Sequence, residues 1–399
     1  MQDITQAIHA GQVDSPELVQ FLMDRFDQAE HTSITQIDLP NGDSPKVSLR
    51  YTKRGALAQV LSSLTTTEVE VLGDEISRTL MAPATPKVSR KVLFAQVSTV
   101  GHWSCSRFRL TGAPAQAPRP PFLHAEHPLV MELKFDAIED QIFSMQRAER
   151  LHHEYTLLLT LFVPRLNLRR RTGFGGYWGL PALRHGEMSP RRDPQWFQEY
   201  YAIEGFDRFV DEYGEPDQEP ISLVPDHEYY SRLGISAREV LDLPVSINRW
   251  VEGYFTAPPA LQRRLLRAAY WINHALQVFP DSQSSSLISA VQAIESLLTP
   301  IGTGTRCPCC GLSQGPGPTA NFKEFLDKHI GPDESAVRRE LYRRRSQLTH
   351  GNDLLRADEE IDFGWTDPHR PFESNTVRAA IRIARISAIS WFDEQLQID

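Results

Sequence analysis

Hydrophobic residues recur at every third or fourth position through much of the C-terminal third of the chain, and this spacing constrains the fold more than any other feature. It is clear in "LQRRLLRAAYWINHALQVF", which Pro280 ends, and in "SSSLISAVQAIESLL", which begins with serines that can cap a helix. It returns in the last long stretch, "TVRAAIRIARISAISWFDEQL". Such spacing places apolar side chains on one face of an α-helix. Several amphipathic helices with short connections predict an all-α helical bundle.

The last of these stretches also carries regularly spaced arginines. Arg378, Arg382 and Arg385 recur at three and four positions beside the apolar stripe. Residues with this spacing share one side of a helix. We therefore expect them to form a basic stripe next to the buried face.

The first half of the chain has a different pattern. "SPELVQFLMDRFDQ" predicts a helix that begins at Ser15 and Pro16, whereas "KVLFAQVSTV" and "PLVMELKFDA" predict strands. An acidic, proline-containing stretch, "DEYGEPDQEP", then precedes the helical part. The predicted fold class is an α+β N-terminal region followed by an all-α bundle. The predicted division is an α+β sensing or regulatory region at 1–225, a linker at 226–257 and a helical domain at 258–399.

Length and charge limit the classes of protein that fit this organisation. A chain of 399 residues is long enough for two or three domains. Its formal net charge is -9, which argues against a general polyanion binder covered with lysine and arginine, so any contact with nucleic acid must be local. The first thirty residues contain no basic start followed by an apolar core, and no apolar run approaches the length of a membrane span. We expect a cytoplasmic protein that does not contact a membrane.

One short stretch, "LYRRRSQLTHGND", combines several cations with a histidine just before a glycine. Arg345 and His350 lie about 140° apart on an α-helix, an angle that a long arginine side chain can bridge at a helix end. A metal-free cleavage of RNA needs a base for the ribose 2′-hydroxyl and a cation for the scissile phosphate; histidine and arginine suit these two tasks. The alternative interpretation is an arginine-rich helix end that His350 and Gly351 close.

The order of the helical segments resembles a known family. An arginine-bearing helix, "RRLLRAAYWINHAL", is followed by "LISAVQAIESLL", a variable insert and then "LYRRRSQLTHG". This order resembles the Apea-like branch of the HEPN superfamily, whose hallmark is an arginine, a polar residue, a few further positions and a histidine. The resemblance covers roughly residues 258–396 and does not extend to the first half. Ser346 stands where asparagine is common in other HEPN branches, and a serine orients its neighbours less firmly.

The resemblance implies a helical bundle that forms a homodimer, so that the motifs of two chains face a shared cleft. Many proteins of this superfamily are metal-independent RNA endonucleases in bacterial anti-phage defence, abortive infection or toxin systems. The substrate would be RNA, either transfer RNA or another cellular RNA. Other members are non-catalytic modules that dimerise or that bind RNA, a nucleotide or a protein, and this function remains the alternative.

The resemblance also implies roles for individual residues. Arg345 would bind the phosphate, His350 would act as general acid and base, and Ser346 would support them. The residues that would line the RNA path are Tyr342, Arg343 and Arg344. We expect Glu295 to pair with one of these arginines rather than to act as a catalyst.

A cysteine-bearing insert at 301–320 separates two of the helical stretches. Cys307 and Cys310 form the Cys-Pro-x-Cys-Gly turn that zinc knuckles use, but a structural zinc needs four ligands. His329 is the nearest candidate for a third ligand, and Cys309 could contribute only with strain. Plain reduced thiols are an equal alternative. In a further alternative, the insert of a second chain completes the site.

Overall fold

The computed structural model of the chain describes residues 1–26, 30–33, 36–40, 45–53, 55–95, 97–114, 127–166, 176–181, 196–201, 203, 205–206, 208–216, 219–231, 240–298, 318–330, 335–349, 353–359 and 369–398. Antiparallel sheets occupy the N-terminal part and helices the C-terminal part, so the α+β character predicted from the sequence is confirmed. Within these ranges, no helix is both long enough and apolar enough to cross a membrane.

The helices are α1 (Ser15–Arg25), α2 (Thr66–Leu80), α3 (Gln141–Phe162), α4 (Asp226–Ser231), α5 (Ile247–Thr256), α6 (Pro259–Val278), α7 (Gln283–Glu295), α8 (Pro318–Ile330), α9 (Ser335–Thr349), α10 (Arg356–Glu359) and α11 (His369–Ile398). The strands are β1 (Gln2–Asp3), β2 (Glu30–Ser33), β3 (Gln36–Pro40), β4 (Pro45–Tyr51), β5 (Leu57–Ser62), β6 (Thr85–Ala95), β7 (His102–Ser104), β8 (Phe108–Gly112), β9 (His127–Ala137), β10 (Gly176–Pro181), β11 (Trp196–Tyr201), β12 (Leu223–Val224) and β13 (Leu243–Pro244).

The chain divides into two compact units. The first contains Met1–Ser89, Lys134–Arg150 and Val210–Glu212, and the second contains Arg90–Leu133, Leu151–Phe209 and Tyr213–Asp399. This partition differs from the one predicted from the sequence, since both units use residues from the first half of the chain. The functional division into a sensing region and a helical domain stays a prediction.

The first unit contains a five-stranded antiparallel sheet in the order β1-β5-β4-β3-β2, together with helices α1 and α2. Helix α1 begins at Ser15 with a proline in its first turn, as the sequence predicts, and its Leu18 and Leu22 are fully buried. Helix α2 begins with a capping box, in which Thr65 and Glu68 each bind the other's backbone N–H. The apolar faces of sheet and helices form one core.

A four-stranded sheet has the order β6-β9-β8-β7, and its strands β7 and β8 belong to the second unit. Arg109 of β8 and Glu132 of β9 lie directly opposite each other in register and form an ion pair in which both side chains are more than nine-tenths buried. The Arg109 Nε donates to Glu132 at 2.6 Å, and another guanidinium nitrogen donates to the Gly214 carbonyl. The ring of Tyr213 lies 5.0 Å from the same guanidinium. This buried cation therefore has a carboxylate, a carbonyl and an aromatic ring as partners.

The helical part of the second unit is a bundle. Helix α7 packs against α6, α9 and α11, and α11 also packs against α5, α6 and α8. The Ser282 hydroxyl accepts a hydrogen bond from the backbone of Ser285 and so caps α7. The Asp358 carboxylate of α10 accepts from the backbone N–H groups of Gln283 and Ser284 at the same helix start. The predicted apolar faces of α6, α7 and α11 line the core between these helices.

Two local expectations differ from the structure. The predicted linker at 226–257 contains α4, β13 and α5, and in α5 the Trp250 and Tyr254 side chains are buried. The sequence predicts a linker here because the segment follows an acidic, proline-containing stretch and because α5, with ten residues, is too short to give a strong helical pattern. The predicted basic stripe on α11 is also incomplete, since Arg378 and Arg382 are exposed but Arg385 is buried. Burial lowers the pKa of Arg385 to about 10, and one of its N–H groups donates to the Thr160 carbonyl.

Candidate functional site

Helix α9 carries the arginines of the predicted motif and is anchored by its apolar side. Leu341 and Leu348 are buried on the side that packs against α7, α8 and α11. Arg338, near the start of the helix, forms an ion pair with Asp327 of α8. The helix can therefore present its other side chains from a fixed position, because both its apolar face and its first turns are held.

Arg345 forms an ion pair with Glu295, the last residue of α7. A terminal nitrogen of Arg345 lies 2.7 Å from Glu295 Oε1, and each side chain is 26% exposed. The other oxygen of Glu295 accepts a hydrogen bond from Gln292, one turn earlier in α7, at 3.2 Å. The expectation that Glu295 pairs with one of the motif arginines is confirmed. The pair ties α9 to α7 and restricts the conformations of the Arg345 side chain.

The guanidinium of Arg345 keeps hydrogen-bonding capacity beyond this pair. It has five N–H donors, and the contact with Glu295 uses one nitrogen. Its Nε is buried and has no hydrogen-bond partner among the residues that the structure describes. An arginine that is held on one side by a carboxylate and reaches solvent can bind a phosphate with its remaining donors. Arg345 is thus neither a core residue nor a freely moving surface cation.

Arg343 and Arg344 share a carboxylate one turn earlier on the same helix. Both Arg343 and Arg344 donate to Glu340, at distances between 2.6 and 2.9 Å. The hydrogen bond from Arg343, followed by that from Arg344, lowers the pKa of Glu340 to about 2. Arg343 also donates to Gln347, and Arg344 lies 3.9 Å from Glu373 of α11. These two cations are therefore partly neutralised, which reduces their attraction for a phosphate.

The i,i+3 and i,i+4 spacing of Glu340 to these arginines was a signal in the sequence that could have predicted the clamp. The interpretation that Arg343 and Arg344 line an RNA path did not take this spacing into account. Both arginines are still directed toward solvent to different degrees, with 52% and 21% of their side chains exposed. Their role in RNA binding stays a prediction.

The remaining motif residues are described less completely. His350, the predicted general acid and base, lies outside the described residues and follows the last residue of α9 in the sequence. Tyr342 and Ser346 belong to α9, where the structure describes their helical backbone. The described part of the site thus consists of Arg345, its partner Glu295 and the neighbouring arginines.

Of the predicted metal ligands, the structure describes His329 but not the cysteines. Cys307 and Cys310 lie outside the described residues, as does Cys309. His329 of α8 is buried, with its Nδ1 3.1 Å from the Ser390 hydroxyl of α11. Burial is the main cause that lowers the pKa of His329, against the opposing charge of Glu394. Within the described ranges, no three His, Cys, Asp or Glu side chains are grouped to hold a metal ion.

His329 would have to give up its contact with Ser390 through Nδ1, or use its other nitrogen, to bind zinc. The other nitrogen, Nε2, lies 3.8 Å from Glu394. Metal-bound histidines usually donate their second N–H to a carboxylate, carbonyl or water. The role of His329 as a third zinc ligand therefore stays a prediction, as does the zinc itself.

Searches with protein-family models, with curated proteins and with solved structures found no match to this chain.

Proposed function

We propose that this chain is a metal-independent RNA endonuclease of the HEPN type that uses Arg345 and His350. The observation that supports the proposal most is the Arg345–Glu295 ion pair. It holds a partly exposed guanidinium in place on the bundle, and the terminal N–H groups outside this contact can bind a phosphate. A fixed cation stabilises developing negative charge better than a mobile one, because little reorganisation is needed in the transition state.

The proposed reaction is a transesterification. His350 takes the proton from the ribose 2′-hydroxyl, and the 2′-oxygen attacks the neighbouring phosphorus. Arg345 stabilises the charge that builds on the phosphate oxygens. The bond to the 5′-oxygen breaks, and this oxygen leaves with a proton from a general acid. The products are a 2′,3′-cyclic phosphate and a 5′-hydroxyl, so that no water and no metal take part in this step.

We further propose that the site lies in the shared cleft of a homodimer, which the resemblance to the HEPN superfamily implies. In a two-fold dimer the same helical surface of each chain faces the other, so each motif occurs twice in the cleft. Light scattering of the full chain tests this part of the proposal. A strict monomer at micromolar concentration would contradict the shared cleft without contradicting the reaction.

The biological role that we propose is bacterial defence against phage or a related toxin function. This role rests on the family resemblance alone. The second candidate is a non-catalytic HEPN module, and the same ion pair supports it because a carboxylate partner also gives an arginine a purely structural role. The two candidates differ in whether the chain breaks RNA.

Expression of the chain in bacteria separates them, with growth and total RNA examined together. The wild-type chain should arrest growth and fragment RNA, whereas His350→Ala should do neither at equal protein level. Arg249→Ala is a suitable control, because it removes another interhelical ion pair of the same unit, that between Arg249 and Asp393. Growth and intact RNA with the wild-type chain would favour the non-catalytic module.

A further inference from the structure

Helix α6 has an unusual charge for this protein. Its residues, Pro259–Val278, include three arginines and one histidine but no aspartate or glutamate, although the whole chain has a net charge of -9. Arg263 and Arg267 are exposed, and neither forms an ion pair with any residue that the structure describes. The pKa of Arg264 is lowered, first by burial and second by the positive charge of Arg267. Among the residues that the structure describes, Arg263 and Arg267 thus have no local counter-charge.

One side of α6 forms a narrow stripe, in which three residues are exposed and His274 is half-buried. Arg263, Arg267, Tyr270 and His274 are four, three and four residues apart, which places them within about 60° of each other around the helix. We call these four residues the α6 stripe. It extends for roughly 16 Å along the helix axis. The buried residues Leu265 and Ile272 point away from it and hold the helix in the bundle.

The α6 stripe combines its cations with an exposed aromatic ring. Tyr270 is 45% exposed, which makes it one of the most exposed large aromatic side chains that the structure describes. Its ring makes edge contacts with Trp271 at 5.3 Å and with His274 at 6.1 Å. The Nδ1 of His274 is buried and has no hydrogen-bond partner among the described residues. The ring of Tyr270 is therefore held by its neighbours while part of it stays open to solvent.

We propose that the α6 stripe binds single-stranded RNA, with Arg263 and Arg267 on phosphates and a base stacked on Tyr270. Charge complementarity points to a polyanion, since the two guanidinium groups have no acidic partner within the described ranges. The aromatic ring between cations points to a strand with unstacked bases, because bases stack on aromatic side chains whatever their sequence. A ring that is already held loses less conformational entropy when a base binds. The α6 stripe would be a substrate-binding surface of the proposed nuclease, so this proposal rests on the proposed function.

The test measures binding of a fluorescein-labelled oligouridylate to the full chain by fluorescence anisotropy. All proteins carry His350→Ala, so that cleavage of the probe does not disturb the measurement. Arg263→Ala/Arg267→Ala should weaken binding and reduce the slope of log affinity against log salt by about 1.4, since each phosphate contact on a single strand contributes about 0.7. The matched control is Lys53→Ala/Arg78→Ala, which removes two exposed cations of the first unit. The control should leave the slope unchanged.

Tyr270 is tested by two further substitutions. Tyr270→Leu should weaken binding about five- to a hundredfold without changing the salt slope, because stacking involves no counterion release. Tyr270→Phe keeps the ring and should bind like the parent chain. The arginine and lysine variants should melt at the parent temperature because their substituted side chains are exposed, and Tyr270→Leu should stay folded because the ring is only partly buried. Equal affinity and slope in parent and stripe variants would overturn the proposal, and so would a parent chain that does not bind the probe.

Failure of this proposal can be distinguished from failure of the proposed nuclease. A chain with His350 restored that cleaves RNA equally well with an intact and a substituted α6 stripe would overturn the stripe and leave the nuclease. Binding through the stripe by a chain that cleaves no RNA would support the stripe and contradict the nuclease.

Discussion

Substitution of Glu295 tests whether the ion pair holds Arg345 in a working position. Each side chain of the pair is 26% exposed, so the pair is intermediate between a fully exposed and a fully buried ion pair. Exposed pairs contribute about 0.2–1 kcal/mol, and breaking a buried pair costs about 3–5 kcal/mol. We expect a loss of about 1–2 kcal/mol from the pair itself. Because Glu295 ends α7, removal of its charge also relieves an unfavourable interaction of about 0.3–1 kcal/mol with the helix dipole.

The net destabilisation by Glu295→Ala is therefore about 1 kcal/mol, which corresponds to a fall of about 1–2 °C in Tm for a unit of this size. The effect on RNA cleavage should be larger. A misplacement of about 1 Å in a positioned group can cost about a hundredfold in rate, so we expect a loss of at least about tenfold. Glu295→Gln keeps an oxygen that can accept a hydrogen bond from Arg345 and should fall between the wild type and Glu295→Ala.

The assay pairs thermal melting with the initial rate of cleavage of a labelled RNA by the purified full chain. Arg249→Ala provides the control, since it breaks a different interhelical ion pair of the same unit. It should lower the melting temperature by a comparable or smaller amount and leave cleavage unchanged. Wild-type cleavage by Glu295→Ala, despite a lowered melting temperature, would refute the reasoning that this carboxylate positions Arg345.

Glu132→Ala should lower the free energy of unfolding, measured by chemical denaturation, by about 3–5 kcal/mol because it leaves Arg109 charged and buried. The double variant Arg109→Met/Glu132→Leu should restore most of this loss, because it removes both charges. The pKa of Glu340 is about 2 in the folded chain, below its usual value of about 4.3. Its contribution to stability is therefore present above about pH 5 and is lost as the pH falls toward 2. Glu340→Gln should flatten this part of a plot of Tm against pH. Protein purified without chelator should contain about one zinc per chain or per pair of chains by mass spectrometry, and less than about a tenth of an equivalent would contradict a site at Cys307 and Cys310.

The helical part of the fold was predictable because its helices are long and strongly periodic. The predicted apolar positions of α6, α7 and α11 are largely the buried ones, and α1 begins at Ser15 as its proline indicates. Short elements were not predictable, since α5 has ten residues and follows a stretch typical of a linker. The burial of Arg385 was also hidden, because its spacing matches that of the exposed Arg378 and Arg382 and only tertiary packing distinguishes them.

Parts of the candidate site were predictable for a similar reason. The pairing of Glu295 with a motif arginine was predictable because a lone glutamate on an amphipathic helix is usually a structural partner of a cation, and the structure pairs it with Arg345. The choice of Arg345 over its neighbours was not predictable, because three consecutive arginines differ only in the direction that the helix gives them. The α6 stripe was visible only after the packing of the bundle distinguished the exposed face from the buried one. The partners of a residue on one helix come from distant parts of the chain, so a local sequence pattern does not predict which residues they are.

The most direct test of the central claim is a kinetic comparison of Arg345→Ala, His350→Ala and the double variant on one labelled RNA. Loss of a general acid or base typically costs about a hundred- to ten-thousandfold in rate, and loss of a donor that stabilises developing charge costs about a hundred- to a thousandfold. Each single substitution should therefore remove most of the cleavage. If both side chains act on one phosphate in one transition state, the double variant should lose little more than the worse single variant, because residues that act as a unit are not additive. All three proteins should melt close to the wild type, apart from the small effect of losing the pair with Glu295. Cleavage by His350→Ala at the wild-type rate, in a preparation free of host ribonucleases, would contradict the account.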